Sequence, residues 1–125
     1  MIGYTMFGSA DVARARGFYD PLMALFGARV VEAYTSEDRV WYATAPGAPM
    51  LVITKPHDGG NASFGNGTMV ALPAASRAAV AEIHAKALAL GGADEGAPGV
   101  RTGAFYGAYF RDLDGNKLCA FTLAE

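Results

Sequence analysis

The chain has one cysteine, two histidines and no long hydrophobic run in its 125 residues. A single cysteine cannot form a disulfide within the chain, and it excludes the cysteine-rich zinc modules. The longest apolar stretches have the length of a strand, far below the roughly 20 residues that cross a bilayer, and the N-terminus lacks the basic and apolar regions of a signal peptide. We therefore expect a cytoplasmic protein that does not partner a membrane.

Charge is also sparse and balanced. The ten Lys and Arg residues are scattered along the chain, and the formal net charge is -2. A nucleic-acid-binding domain would show a clustered basic patch, so nucleic acid is not an expected partner. A chain of this length forms one domain around a single core, and no linker divides it.

The first half of the chain reappears in its second half. Asp11 aligns with Ser76 and Gly27 aligns with Gly92, since 76 minus 11 and 92 minus 27 are both 65. In each half a short apolar run is followed by a capping residue, an alanine-rich amphipathic helix and a Gly-Ala stop. Two copies of one strand-helix-strand unit are therefore predicted.

Each unit is predicted to be a βαβββ module within a single α+β domain. Module one covers about residues 1–60, and module two covers about residues 61–125. Segment 55–67, which is rich in Gly, Pro and Asn, is the predicted link between the modules, and 96–99 is a predicted loop.

The predicted strands are short runs of β-favouring residues bounded by turn residues, at 2–7, 28–34, 39–45, 50–54, 68–72, 104–111 and 117–123. The predicted helices begin after Asp11 and Ser76. Because Pro21 removes one helical hydrogen bond, we expect a kink or a new helix start near Asp20.

Two segments carry a family resemblance. The stretch from Tyr109 to Leu118, with Asp112-Leu113-Asp114-Gly115-Asn116 at its centre, resembles the closing hairpin of the vicinal oxygen chelate superfamily, and Gly8-Ser9-Ala10-Asp11 with the following helix resembles its first helix. That superfamily includes glyoxalase I, extradiol dioxygenases, fosfomycin resistance proteins and bleomycin-binding proteins. The resemblance implies two βαβββ modules that form a cupped mixed sheet with helices on the outer face. It also implies a homodimer.

Metal-dependent members of that superfamily hold one divalent ion at four cleft positions, with His or Gln, Glu, His and Glu as ligands. The motifs match these positions to Tyr4, Val52, Met69 and Cys119. None of these side chains is the carboxylate or imidazole that such an ion requires. We therefore expect no metal and no other cofactor, although Met69 with Cys119 leaves a soft-metal site for copper(I) as an alternative.

The resemblance implies that a cleft binds a small molecule, and strand alternation predicts which side chains face it. The predicted lining is apolar and aromatic, so it suits a flat or apolar small molecule. The alternative is that these side chains fill the concavity. The predicted ligand-binding residues are Tyr4, Met6, Trp41 (or Tyr42 beside it), Val52, Met69, Tyr109, Cys119 and Phe121.

Two functions stay open at this point. The first is a metal-free glyoxalase/bleomycin resistance-like protein that binds an apolar or aromatic molecule. The second is a glyoxalase-like lyase or isomerase that uses side-chain acid-base chemistry or a non-standard metal site, with Tyr4, His57 and Cys119 as catalytic candidates. The residues also leave open whether the cleft lies within one chain or between two.

Overall fold

The computed structural model describes residues 1–124, which form two βαβββ modules. The elements in chain order are β1 (Tyr4–Gly8), α1 (Val12–Ala24), β2 (Arg29–Val30), β3 (Arg39–Ala43), β4 (Met50–Thr54), β5 (Met69–Pro73), α2 (Arg77–Ala89), β6 (Ala93–Thr102), β7 (Phe105–Arg111) and β8 (Lys117–Thr122). The predicted βαβββ order of both modules is confirmed.

Each module contributes one four-stranded mixed sheet. Sheet A has the order β1-β4-β3-β2, and sheet B has the order β5-β8-β7-β6. In both sheets the first strand of the module runs parallel to the last, and the other pairs are antiparallel. Strands β1 and β5 are therefore edge strands, and neither is paired with the other within residues 1–124.

In the first half of each module, the strand and the helix begin at positions that differ by the 65 residues of the sequence repeat. Strand β5 begins at Met69 and β1 at Tyr4, and helix α2 begins at Arg77 and α1 at Val12, so both differences are 65. Both helices have 13 residues, and the side chains of Asp11 and Ser76 cap them by accepting a backbone N–H bond.

One hydrophobic core joins the two modules. It contains the buried sides of both helices and of both sheets. Helix α1 contacts both α2 and the strands of sheet A, while α2 packs on β6, β7 and β8. The ring of Phe18 on α1 also lies 6.5 Å from that of Phe110 on sheet B. Each helix thus packs on one face of its module's sheet, and the opposite face of each sheet, which turns away from the helices, is here called its open face.

Helix α1 runs unbroken through Pro21, so the predicted new helix start near Asp20 is wrong. The buried side chains of Phe18, Leu22 and Met23 on either side of the proline hold the helix on the core. Burial of these three side chains outweighs the one backbone hydrogen bond that proline cannot make.

Two predicted boundaries on the sheet edges were also wrong. The predicted strand 28–34 is a two-residue β2 followed by a 3-10 turn at Glu32–Tyr34. The predicted loop 96–99 is instead part of the ten-residue β6, whose register with β7 shifts at three points. Edge strands tolerate Gly, Pro and bulges because one side of their backbone has no ladder to maintain.

The predicted hairpin turn 112–116 also joins the modules. The buried carboxylate of Asp112 accepts from the hydroxyl of Tyr19 on α1 at 2.6 Å and from the Asn116 side chain at 2.9 Å. It also accepts from the backbone N–H groups of Asp114 and Asn116, both at 2.9 Å. One carboxylate therefore closes the turn and binds the other module.

Two further bonds run between the same turn and the junction of β1 with α1. The Asn116 amide donates to the Gly8 carbonyl at 2.9 Å, and the Ala10 N–H donates to the Asp114 carboxylate at 2.9 Å. The turn thus sets how module two sits on module one.

Two buried tyrosines should make the folded protein less stable at alkaline pH. Burial first, and the Asp112 carboxylate second, raise the pKa of Tyr19 well above its ordinary value of 10.0. Burial and the hydrogen bond to Asp20 raise the pKa of Tyr42 above the same value. A phenol whose pKa is higher in the folded than in the unfolded state stabilises the fold. This contribution is complete at pH values below the pKa of the unfolded state, and it is lost as the pH rises through the pKa of the folded state. We expect the melting temperature to fall above about pH 10.

The measurement is tyrosinate absorbance and circular dichroism across the alkaline range. Of the six tyrosines, Tyr19 and Tyr42 should ionise only as the fold is lost. The substitutions Tyr19→Phe and Tyr42→Phe should each reduce the fall in melting temperature at alkaline pH. Reversible ionisation of all six with native circular dichroism would contradict this expectation.

Candidate functional site

The open face of sheet A is aromatic and partly exposed. Tyr4 and Met6 on β1 are 48% and 45% exposed, while their neighbours Thr5 and Phe7 turn toward the helices. The ring of Trp41 on β3 lies 4.8 Å from that of Tyr4 and 5.5 Å from that of Tyr34, both edge-on. Val52 is fully buried in the same face.

Trp41, rather than Tyr42, faces the predicted cleft. Tyr42 is buried in the core on the helix side, where its hydroxyl bonds the Asp20 carboxylate. Tyr34 was missed by the sequence reasoning, because a 3-10 turn rather than a strand brings it to Trp41.

The open face of sheet B carries the other predicted residues. Tyr109, Cys119 and Ala71 lie opposite one another on β7, β8 and β5, and Met69 at the start of β5 is 42% exposed. The ring of Phe121 stacks on that of Phe105 at 5.1 Å with a 5° interplanar angle. The structure therefore brings Met69, Tyr109, Cys119 and Phe121 to one surface.

The three catalytic candidates lie apart. Tyr4 is on sheet A and Cys119 on sheet B, and His57 is exposed in the turn at 56–59 of the segment that links the modules. Cys119 is fully buried, and burial raises the pKa of its thiol above the ordinary 9.0. The thiol form therefore dominates at neutral pH, which opposes nucleophilic chemistry.

Basic side chains also lie on the open face of sheet B. The guanidinium of Arg101 lies 5.2 Å from the centroid of the Tyr109 ring, and the Lys117 ammonium lies 5.5 Å from it. Alternation already places Lys117 on the same face as Cys119, since they are two residues apart in one strand. The place of Arg101 on this face could not be predicted, because residues 96–99 were predicted to be a loop, whereas they belong to the bulged strand β6 that carries Arg101.

An apolar groove of about 390 Å³ lies between the two unpaired edge strands. Ile2 and Thr5 line it on the β1 side, residues 70–73 line it on the β5 side, and Met23 and Phe26 of module one add to its wall. A second cavity, of about 530 Å³, lies between Ser9 at the start of α1 and the linking segment. Of the predicted ligand-binding residues, Tyr42, the alternative to Trp41, lines the groove, and the others line neither the groove nor the cavity.

The residues at the four family metal positions do not fit a hard divalent ion. Tyr4 and Val52 lie on sheet A, Met69 and Cys119 lie on sheet B, and Val52 has no donor atom at all. Within residues 1–124 no three His, Cys, Asp or Glu side chains form a metal-holding group. A phenol, a thioether and a protonated thiol do not replace carboxylate and imidazole ligands.

Neither helix of the described chain is long and apolar enough to span a bilayer. No family profile and no curated protein sequence matches the chain.

Solved structures do match, over nearly the whole chain. A glyoxalase/bleomycin resistance protein/dioxygenase family enzyme from Burkholderia phytofirmans is 19% identical, covers 97% of both chains and superposes with a TM-score of 0.77. A lactoylglutathione lyase from Agrobacterium tumefaciens is 23% identical over 98% of this chain and 92% of its own, with a TM-score of 0.68. These two show the shared fold.

A third structure is nearer in sequence. A glyoxalase/bleomycin resistance protein from Albidiferax ferrireducens is 35% identical, covers 98% of both chains and superposes with a TM-score of 0.85. Identity at this level over a full domain agrees with the two-module fold and with the closing hairpin, and the chain belongs to the glyoxalase/bleomycin resistance protein family.

Proposed function

We propose that this protein binds a flat apolar or aromatic small molecule, without a metal, in a cleft that two copies build together. The main observation in support of this proposal is the position of the predicted ligand-binding residues. They occupy the open faces of two sheets whose helix sides share one core, so the faces do not meet within the chain. A second copy supplies the missing wall.

The unpaired edges support this pairing. A free edge strand with exposed apolar side chains is a template for another strand. Pairing β1 of one copy with β5 of its partner pairs the free edges of β1 and β5 in both copies at once, because a two-fold axis repeats the contact. It also covers the apolar groove between those strands. Each cleft then has sheet A of one copy on one side and sheet B of the other copy on the other.

The chemistry of the two faces favours an apolar ligand. Tyr4, Met6 and Trp41 on one side and Met69 and Phe121 on the other offer aromatic and thioether surface. Such side chains bind flat rings through apolar burial and edge or stacking contacts. The protonated Cys119 thiol supports binding rather than thiolate catalysis.

The proposed dimer is tested by measuring the molecular mass of the protein in solution. We expect a particle of two 13.0 kDa chains, and we expect Val70→Asp, in the groove beside the free edge of β5, to give monomers. Val100→Asp is the matched control, since Val100 is exposed on β6 at the far edge of the same sheet. A monomeric native protein, or equal behaviour of the two variants, would contradict a shared cleft.

Binding is tested by titrating the full chain with 2-naphthamide and 2-naphthoate. Trp41 is the single tryptophan and faces the proposed cleft, so its fluorescence should change, and calorimetry should give one site per chain. Prior chelation should leave the affinity unchanged, because no metal takes part. If neither probe binds, or if chelation abolishes binding, the metal-free function is wrong.

A further inference from the structure

Three cations lie on the open face of sheet B, and only one of them has a carboxylate partner. Arg111 pairs with Glu95 at 2.5 Å and also donates to the Gly115 carbonyl at 2.8 Å. Among residues 1–124, neither Arg101 nor Lys117 forms an ion pair. Two cations that form no ion pair among the described residues are thus held within 5.5 Å of one aromatic centroid, that of Tyr109.

The position of Arg101 is built into the strand that carries it. Its guanidinium lies along β6 and donates to the Ala97 carbonyl at 2.5 Å. A Cβ at Gly96 would lie 3.1 Å from one terminal nitrogen of Arg101 and 3.0 Å from the Tyr109 ring, and a Cβ at Gly99 would lie 3.1 Å from the other nitrogen. The two glycines therefore leave the space that the guanidinium occupies.

Among residues 1–124 the carboxylate that acts on this arrangement is that of Glu95, which attracts Lys117 but already pairs with Arg111. Two cations near one ring repel each other, and the cation-π attraction offsets only part of that cost. The open face of sheet A, which completes the proposed cleft, brings no carboxylate on its strands: Arg39, Trp41, Met50, Val52 and Thr54 alternate there with side chains that face the helices. An acidic group on the ligand would neutralise the pair.

We propose that Arg101 and Lys117, converging on Tyr109, form a subsite for the acidic group of the ligand, so that the ligands are flat aromatic carboxylates. The inference rests on the proposed binding function and narrows its ligand class. The carboxylate takes charge-assisted hydrogen bonds from the guanidinium and the ammonium, while the ring of the ligand lies among the aromatic and methionine side chains of the cleft.

The test compares two probes that share one ring system and differ in charge. The full chain is titrated with 2-naphthoate and with 2-naphthamide by calorimetry and by Trp41 fluorescence. Because hydrogen bonds to charged groups are worth more than neutral ones, we expect the carboxylate to bind at least about tenfold more tightly. Raising the salt concentration should shrink this advantage.

Substitutions test whether Arg101 and Lys117 cause the tighter binding of naphthoate. Arg101→Gln with Lys117→Gln should bring naphthoate down to the affinity of naphthamide measured on the same variant. Arg14→Gln with Lys86→Gln removes the same charge from exposed helix positions and should keep the advantage. If the double variant does not fold, each single variant should still lower the ratio several-fold.

The outcomes separate the two proposals. Equal binding of both probes by the native protein overturns the acidic-group inference and leaves the binding function standing. An advantage that survives in the Arg101→Gln, Lys117→Gln protein also overturns it. Absence of binding by either probe overturns both.

Discussion

Asp112→Ala is expected to lower the free energy of unfolding by about 3–4 kcal/mol, a large part of the roughly 5–15 kcal/mol that holds a domain of this kind. The carboxylate accepts four hydrogen bonds, two of them from backbone N–H groups of its own turn. Its loss strands the Tyr19 hydroxyl, which is fully buried on α1. The turn loosens, and the two modules lose a bond that joins them.

Graded controls separate these contributions. Tyr19→Phe leaves the carboxylate with its three donors from the turn and should cost about 1–2 kcal/mol. Asp114→Ala removes one exposed bond to the Ala10 N–H and should cost about 1 kcal/mol or less. Urea unfolding followed by circular dichroism measures the series. If Asp112→Ala were no more destabilising than Asp114→Ala, the turn would not join the modules.

Gly92→Ala is expected to cost about 3 kcal/mol or more, because the added methyl group has no room. A Cβ at this position would lie 2.7 Å from the carbonyl oxygen of Arg111, 2.8 Å from that of Ala87 and 3.1 Å from the Phe18 ring. Both oxygens belong to the backbone of packed elements, so neither can move without displacing β7 or α2. The result should be poor expression or a markedly lower unfolding midpoint.

Gly17→Ala is the matched control for that substitution. Gly17 lies in the exposed middle of α1, and nothing lies within 4 Å of its would-be Cβ. Alanine there should stabilise the protein by about 0.5–1 kcal/mol, because it lowers the backbone entropy of the unfolded chain and favours the helix. Urea unfolding compares both variants with the native chain. Equal effects of the two substitutions would contradict the tight packing at Gly92.

The two glycines at the end of α2 show how far a repeat predicts structure. The offset of 65 correctly pairs Gly92 with Gly27 in sequence, but the left-handed residue after α2 is Gly91, with φ 101°, whereas the one after α1 is Gly27, with φ 76°. Gly92 is needed for close packing instead. A pattern reports that glycine stands at a helix end, and the neighbouring elements decide why.

In the candidate site, too, the sequence pattern predicted some features and the tertiary contacts decided others. Alternation along β1 and β8 correctly separated Tyr4 and Met6 from Thr5 and Phe7, and it put Cys119 with Phe121. The position of Arg101 beside Tyr109 could not be predicted, because its strand contains proline and two glycines, which indicate a loop when the partner strand is not known. The pairing of Asp112 with Tyr19, 93 residues away, left no trace in local sequence.

Local sequence by itself determined the two βαβββ modules, their capped helices and the closing hairpin, because these depend on the residue types within a few positions. Only the tertiary structure decided that both helices pack into one core, that β1 and β5 do not pair with each other within residues 1–124, and that two cations meet at Tyr109. Those features depend on contacts between residues far apart in the chain, whose geometry is set by how the two modules pack around one core.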